Sequence, residues 1–423
     1  MAIDKVPVIG DRDHNRAVSK LSPFIKLSGE QLALKKRILA FCRAHVTDSR
    51  TALFVVQGDP GTGKSVLLST VFNTIQSLAR KDDAEDPLWH TDNVLLVNHP
   101  EMIKLYKEIA ESLPSVRKKD FERPTTFINR IQKRGAAADI VLVDEAHLLL
   151  TRSDKYNKFD QANQLEEIIR HSHVVIMIFD AQQVLKTKSY WNQRNVRDFL
   201  TRFQGETAEL TQQFRIHAYP DVTMWIKDFV HKKIRPFPRK QAFDFRIFND
   251  AASMYQAIRN KNEKYRLARM VATYDYPYKL DGGDHLIHEK NFCLRWDRAK
   301  PSAKMPWAER EDTIDEVGSV YTVQGFDLNY AGVILGPSVT YDEVNDQIKI
   351  NIEKYEDSAA FIRRKDLNNP DAVREQIILN SIYILMTRGV RGLYIYASNP
   401  ALHRRLETLM KERVPDRTTG SER

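Results

Sequence analysis

The sequence predicts an α/β fold built on parallel sheets, and three observations carry that expectation. Short β-rich apolar runs alternate along the chain with longer stretches of helical periodicity. The runs are apolar throughout rather than alternating with polar residues, as in strands buried on both faces. A glycine-rich loop ending in lysine and serine stands between the first run and the first clear amphipathic helix, which is the context of a phosphate-binding turn.

The elements follow in order. Residues 52–57 read as a strand, and Gly58-Asp-Pro-Gly61-Thr62-Gly63-Lys64-Ser65 is the loop after it. Leu67, Leu68, Val71, Phe72, Ile75 and Leu78 then fall on one helical face. Further strands are expected at 94–97, 140–143, 174–179, 332–335 and 393–396, with a helix over 377–386. Residues 231–240, HKKIRPFPRK, read as a loop or linker, and 281–312 as irregular. The last residues, 411–423, lose apolar periodicity and read as a disordered tail.

Composition sets the frame. A chain of 423 residues allows two or three domains. With 42% hydrophobic and 29% charged residues it is globular, not disordered or fibrous. Two cysteines, Cys42 and Cys293, are too few for a disulfide scaffold and suit a reducing compartment. The first residues have no apolar signal region, and no run approaches the length that spans a bilayer, so a cytoplasmic protein without membrane contact is expected. The net charge of +9 permits a polyanionic partner without demanding one.

The loop fits the P-loop (Walker A) pattern. Gly58, Gly61, Thr62 and Gly63 let the backbone wrap phosphates with N–H groups inward, and the next helix adds its positive dipole end. In that pattern Lys64 contacts the β- and γ-phosphates and Ser65 ligates Mg²⁺. The acidic pair closing the run DIVLVDEAH supplies the partner groups. Asp144 is placed to hold the metal shell, and Glu145 to orient or deprotonate the attacking water. His147 has no second metal-ligand residue at helical spacing, so it is read as coupling the site to its surroundings, without zinc.

The remaining motifs come in a definite order: Gln31 upstream of the loop, FDAQQ at 179–183, QQFR at 212–215, TVQGF at 322–326 and LMTRGVRGLYIY at 385–396. Together with the loop and the acidic pair they resemble the ordered motifs of superfamily-one helicases. The likeness is strongest to bacterial relatives of the Schlafen helicase domain, a family described as a domain of unknown function, and spans about residues 27–400. It implies two RecA-like P-loop NTPase domains sharing one ATP in a cleft, with a first domain over 27–208 after an N-terminal extension, and a second over 209–410. It implies that Gln31 reads the adenine edge, that Gln183 senses the γ-phosphate, and that Arg215 and Arg388 reach the γ-phosphate from the second domain. Gln324 and Asp327 would link that site to a nucleic-acid track. Arg391 is read as a surface or phosphate-tracking residue.

Two departures matter. Phe179 stands where many helicases carry glycine, and Val97-Asn98-His99-Pro100 lacks the threonine-rich signature for gripping single strands. The expected activity is therefore ATP hydrolysis driving a helicase or translocase on single-stranded DNA or RNA. The alternative is a regulatory ATPase that switches a partner protein such as a nuclease. Candidate nucleic-acid contacts are 231–240 with Phe237, the Arg295-Trp296-Asp297-Arg298 run, Trp307, 117–119 and 363–365. For the tryptophans core packing is an equal reading, and for the charge runs a solvated face is the commoner one.

Overall fold

The computed structural model describes residues 21–191, 193–212, 220–238, 243–279, 281, 283–297, 303 and 305–412. It divides into two compact units. One comprises Met1–Arg215 and Ala359–Asn368, the other Ile216–Ser358 and Asn369–Arg423.

In the first unit the strands are β1 (Ala52–Gly58), β2 (Asn93–Val97), β3 (Phe121–Glu122), β4 (Ala138–Asp144), β5 (Ser172–Ile178) and β6 (Gln204–Leu210). They form one sheet in the order β3-β2-β4-β5-β1-β6, and every pair is parallel. The central strands are buried along nearly all their length, which explains why their sequences are apolar without alternation. Helix α1 (Gly29–His45) opens on a capping box in which Ser28 and Gln31 satisfy each other's backbone N–H. Helix α2 (Lys64–Ala79) follows the P-loop, and α3 (Pro100–Ile109) follows β2. His99 caps α3 by accepting from the Met102 N–H at 3.3 Å, so a histidine starts this helix in the segment that lacks the threonine-rich signature. Phe179 is part of the apolar core under β4 and β5.

The strand order positions the chemistry. Crossover connections place β5 between β1 and β4. Val56 is in register with Ile178 and Met177 with Val143. The residues that end these three strands therefore emerge in one row at their C-terminal ends, where ligands of open parallel sheets bind.

The segment Ala359–Asn368, which the sequence reading puts in the second domain, belongs to the first unit. Thr187 donates to the Ile362 carbonyl at 2.8 Å, and Arg152 to the Arg363 carbonyl at 2.9 Å. Arg364 donates to Thr151 at 2.6 Å and to the Thr187 carbonyl at 2.9 Å. The central cation of the 363–365 run is thus committed to a structural tie.

In the second unit α7 (Pro220–Val230), with α4, α5 and α6 of the first unit at Pro124–Arg134, Gln164–Arg170 and Gln193–Arg202, precedes β7 (Asp244–Ile247). Helix α8 (Ala251–Tyr265) leads into β8 (Ala268–Ala272), followed by β9 (Leu286–Glu289), β10 (Phe292–Trp296), β11 (Glu316–Gly318), α9 (Val320–Val323) and β12 (Leu328–Leu335). A separate hairpin of β13 (Val339–Asp342) and β14 (Gln347–Ile350) precedes α10 (Pro370–Met386), β15 (Gly389–Ala397) and α11 (Pro400–Lys411). The main sheet runs β7-β15-β12-β8-β11-β10-β9 and is mixed. Its β9–β10 pair is antiparallel, because two residues cannot make the crossover that a parallel pair needs. The expected α/β fold with parallel sheets is present, all-parallel in the first unit and with one antiparallel pair at the edge of the second.

Three aromatic candidates for base stacking are core residues. Phe237 packs in a cluster with Trp225, Phe229 and Phe245. Trp296 is buried against Tyr274 and Tyr276. Trp307 is buried with its indole N–H donated to Glu316 at 3.0 Å. Within 231–240, Lys232 pairs with Glu375 at 2.8 Å and Arg235 with Asp228 at 3.3 Å. Arg298 lies outside the described residues.

Candidate nucleotide site

The P-loop connects β1 to α2 through glycines at φ +153°, +92° and +76° for Gly58, Gly61 and Gly63. A side chain at Gly58 would come within 2.6 Å of the Leu210 carbonyl and 2.9 Å of the Thr62 hydroxyl. Backbone geometry and crowding both demand glycine there, and Gly63 is the left-handed N-cap of α2. Thr62 closes the turn by donating to the Asp59 carbonyl at 2.9 Å.

Lys64 is buried and folds back over its own loop. Its ammonium donates to the Gly58 carbonyl at 2.6 Å and the Asp59 carbonyl at 3.0 Å, and lies 3.3 Å from Asp180 on the β5 loop. Burial pushes the Asp180 carboxyl up, but Lys64, His147 and the hydrogen bonds from Gln183 and Gln182 outweigh it, and the carboxyl stays below its ordinary value. Gln183 donates to Asp180 at 2.8 Å.

Ser65 donates to Asp144 Oδ1 at 3.2 Å, and Tyr106 from α3 donates to Asp144 Oδ2 at 2.7 Å. Burial, then the charge of Glu145, raise Asp144 to about 6 against those two bonds. A raised carboxyl beside a serine hydroxyl is a pair of hard oxygen ligands short of positive charge. That donor set fits Mg²⁺, which takes one or two protein oxygens and completes its shell from phosphates and water. Glu145 adopts φ +50°, unusual for a residue with a side chain, and its Oε2 lies 3.3 Å from Nε2 of the fully buried His147. His147 thus touches Glu145, and its charge acts on Asp180. Among the described residues no group of three or more His, Cys, Asp or Glu side chains could hold a metal ion.

Gln31 reaches the loop from α1. Its amide nitrogen donates to the carbonyls of Thr62 at 3.3 Å and Gly63 at 3.5 Å, while its oxygen accepts from Ser28 N–H at 3.0 Å. Reading an adenine edge would require exchanging one of these bonds. The first unit therefore brings together Gln31, Gly58, Gly61, Thr62, Gly63, Lys64, Ser65, Asp144, Glu145 and Gln183.

Gln324, Asp327 and Arg388 lie in the second unit. Gln324 is buried at the C-terminal end of α9, where its N–H bonds the Val320 carbonyl. Arg388 is fully buried between α10 and β15, donating to the Ile384 carbonyl at 3.0 Å and the Phe326 carbonyl at 3.3 Å. Arg215 lies outside the described residues.

Sequence reasoning left Tyr106 without a role, and it quoted Asp180 without assigning one. Asp180 carried a signal, as the polar residue closing an apolar strand next to β1. Tyr106 carried none, because only the register of α3 turns its hydroxyl toward β4.

A P-loop at the end of a central parallel strand, with an acidic pair on one neighbour and Asp180–Gln183 after the other, defines a P-loop NTPase of the helicase type with a RecA-like fold. The model of the Schlafen group 3 DNA/RNA helicase domain matches residues 51–399, and the chain belongs to that family. The uncharacterized protein YPL245W of Saccharomyces cerevisiae is 45% identical over 420 residues, covering 92% of each chain. Among solved structures, the Pif1 helicase from Candida albicans is similar over 91% of this chain and 100% of its own, at 11% identity and a TM-score of 0.35. The DUF1998 helicase MrfA bound to DNA is similar over 96% of this chain and 52% of its own, at 11% identity and a TM-score of 0.36. Likenesses at such scores transfer no role to any residue. Among the described residues no helix is long and apolar enough to cross a membrane.

Proposed function

We propose that the protein is an ATP-dependent helicase or single-strand translocase of the superfamily-one type, converting ATP and water to ADP and phosphate. The convergence of a left-handed glycine loop, Lys64, Ser65, Asp144, Glu145 and Gln183 at adjacent strand ends carries the reading. In it, Lys64 exchanges its two carbonyl partners for β- and γ-phosphate oxygens. Ser65 and Asp144 hold Mg²⁺, which when bound neutralises charge on the phosphates. Glu145 orients the attacking water and accepts its proton. Gln183 reports the γ-phosphate, and Gln31 places the base.

In the same reading Arg215 and Arg388 meet the developing charge on the transferred phosphoryl, a contribution of about 10³–10⁵ in rate for an arginine finger. Gln324 and Asp327 couple the nucleotide to a single strand of DNA or RNA. The family's description as a DNA/RNA helicase domain supports that partner.

ATP turnover measured with and without single-stranded DNA and RNA tests the proposal. Stimulation by either is expected. Turnover that ignores both, in a preparation that carries a stable partner protein, would replace this reading with a regulatory ATPase.

A further inference from the structure

We infer that the face of the second unit formed by α8, β7 and the start of β15 binds the phosphate backbone of the nucleic acid, with Arg391 and Lys264 as its contact residues. The inference rests on the nucleic-acid partner proposed above and says where in the chain part of it is held.

Strand β15 is buried along its length except at Arg391, the one residue of this strand that the fold turns out to solvent. The strand makes room for what surrounds it. A side chain at Gly392 would lie 2.6 Å from the Tyr330 ring, so glycine at this position lets that ring lie against the strand. Tyr265, Tyr330 and Tyr394 then form a run of rings with centroids 5.4 and 5.9 Å apart.

Cations are arranged over these rings. Arg391 stands 5.3 Å and Lys264 5.1 Å from the centroid of Tyr265. Lys261 stands 4.6 Å from Tyr330, and Arg246 5.4 Å from Tyr394. The platform is fixed rather than loose. Arg266 and Leu267 both take left-handed backbone angles, +57° and +48°, and turn the chain sharply after Tyr265. Asn329 donates to the Tyr265 carbonyl at 2.7 Å, tying the end of α8 to β12.

The charge balance separates two kinds of cation. Arg246 and Lys261 share one carboxylate, Asp244, at 2.6 and 2.9 Å. Arg391 and Lys264 make no ion pair among the described residues, and both side chains are exposed. Four cations against one carboxylate leave a local positive excess. The two uncompensated ones both stand against the Tyr265 ring. That is preorganised positive charge, and a phosphodiester backbone is the polyanion this chain is otherwise read to engage. Each phosphate neutralised releases counterions and steepens the dependence of binding on salt.

The test is fluorescence anisotropy of a labelled single strand titrated with the full chain across about 50–200 mM salt. The Arg391→Ala/Lys264→Ala double variant should bind more weakly, with a log–log salt slope shallower by about 1.4, two contacts at about 0.7 each for a single strand. Lys264→Glu, an exposed change at a helix end, should lower affinity further than Lys264→Ala. A charge-matched control, Arg37→Ala/Arg202→Ala in the first unit, should keep the parent slope. An unchanged slope in the double variant, or an equal loss in the control, overturns this face as a contact while leaving nucleic-acid binding by the protein intact. Failure of the parent to bind any strand overturns both readings. Binding of the face to phosphatidylserine vesicles or to polyglutamate, with the strand bound equally by parent and double variant, would assign it to another anion and overturn the inference.

Discussion

The two units hold their motif residues differently. In the first, side chains such as Lys64 and Gln31 bond loop carbonyls, but carboxylates and their polar partners also meet side chain to side chain: Lys64 with Asp180, Ser65 and Tyr106 with Asp144, Gln183 with Asp180. In the second, motif side chains meet backbone. Arg388 bonds the carbonyls of Ile384 and Phe326, Thr387 bonds the Tyr383 carbonyl at 2.8 Å, and the Leu328 N–H bonds the Arg388 carbonyl. The difference teaches what each can do on binding a ligand. In the first set Ser65 and Asp144 hold each other side chain to side chain and can turn to a metal, while Lys64 must release the Gly58 and Asp59 carbonyls to reach a phosphate. The second set locks the loop before β12 to the loop before β15, so any reach of Arg388 toward a phosphate must release backbone carbonyls.

The largest expected effect breaks the first set. Lys64→Ala should abolish both nucleotide binding and turnover. It also leaves Asp180 buried without its cation, a loss of about 3–5 kcal/mol when one partner of a buried pair is removed. Binding of a fluorescent ATP analogue and thermal unfolding measure the two consequences. Binding that survives in Lys64→Ala would end the assignment of the P-loop.

Next in size is the second set. Arg388→Ala should keep nucleotide binding near the parent value and lower turnover by about 10³. It also strands two carbonyls, at about 1–3 kcal/mol each, so the melting temperature should fall. Arg388→Lys, which keeps the charge but not the fork, separates the roles: melting restored without turnover marks a group needed for its planar geometry at the phosphate. Turnover equal to the parent in Arg388→Ala would remove the finger.

The smallest effect is one of pH. Burial raises Asp297 in the second unit to about 7, despite hydrogen bonds from Ser319 and Tyr274, with the charge of Asp357 adding to the rise. The folded state therefore holds a proton that the unfolded chain gives up near the ordinary carboxyl value. Its contribution to stability is complete below that ordinary value, declines as pH rises from about 4 to about 7, and is gone above. Asp297→Asn should flatten the decline in denaturation midpoint across that window and leave the lower-pH limb unchanged. A profile identical to the parent would mean that Asp297 is charged in the fold.

Much of the first unit was legible because its information is local. The apolar runs of β1, β4 and β5 are continuous because those strands are buried over most of their length, and the P-loop is a contiguous string whose glycines answer to backbone angles. Asp144 and Glu145 sit at the end of their strand, where a run of hydrophobic residues stops. The second unit was less legible. Its two tryptophan candidates read equally well as stacking platforms or core, since exposure and burial leave the same mark on a single tryptophan, and Phe237 stood in a charge run that read as a solvated face. Arg364 looked like one cation in a charge run, and its partners Thr151 and Thr187 are some two hundred residues away.

What the sequence by itself determined is the class of the protein. Parallel strands, a phosphate loop and an acidic pair each follow from residue types at short spacing, where sterics and backbone hydrogen bonding leave few choices. What only the tertiary structure decided is partnership. The placement of β5 between β1 and β4 brings Asp180 to Lys64, and the turn of α3 brings Tyr106 to Asp144. The return of Ala359–Asn368 to the first unit, and the rings that hold Arg391 and Lys264, were decided at the same level. Such pairings depend on which distant segments pack together, and the free energy of burial selects them over the whole chain rather than at any one position.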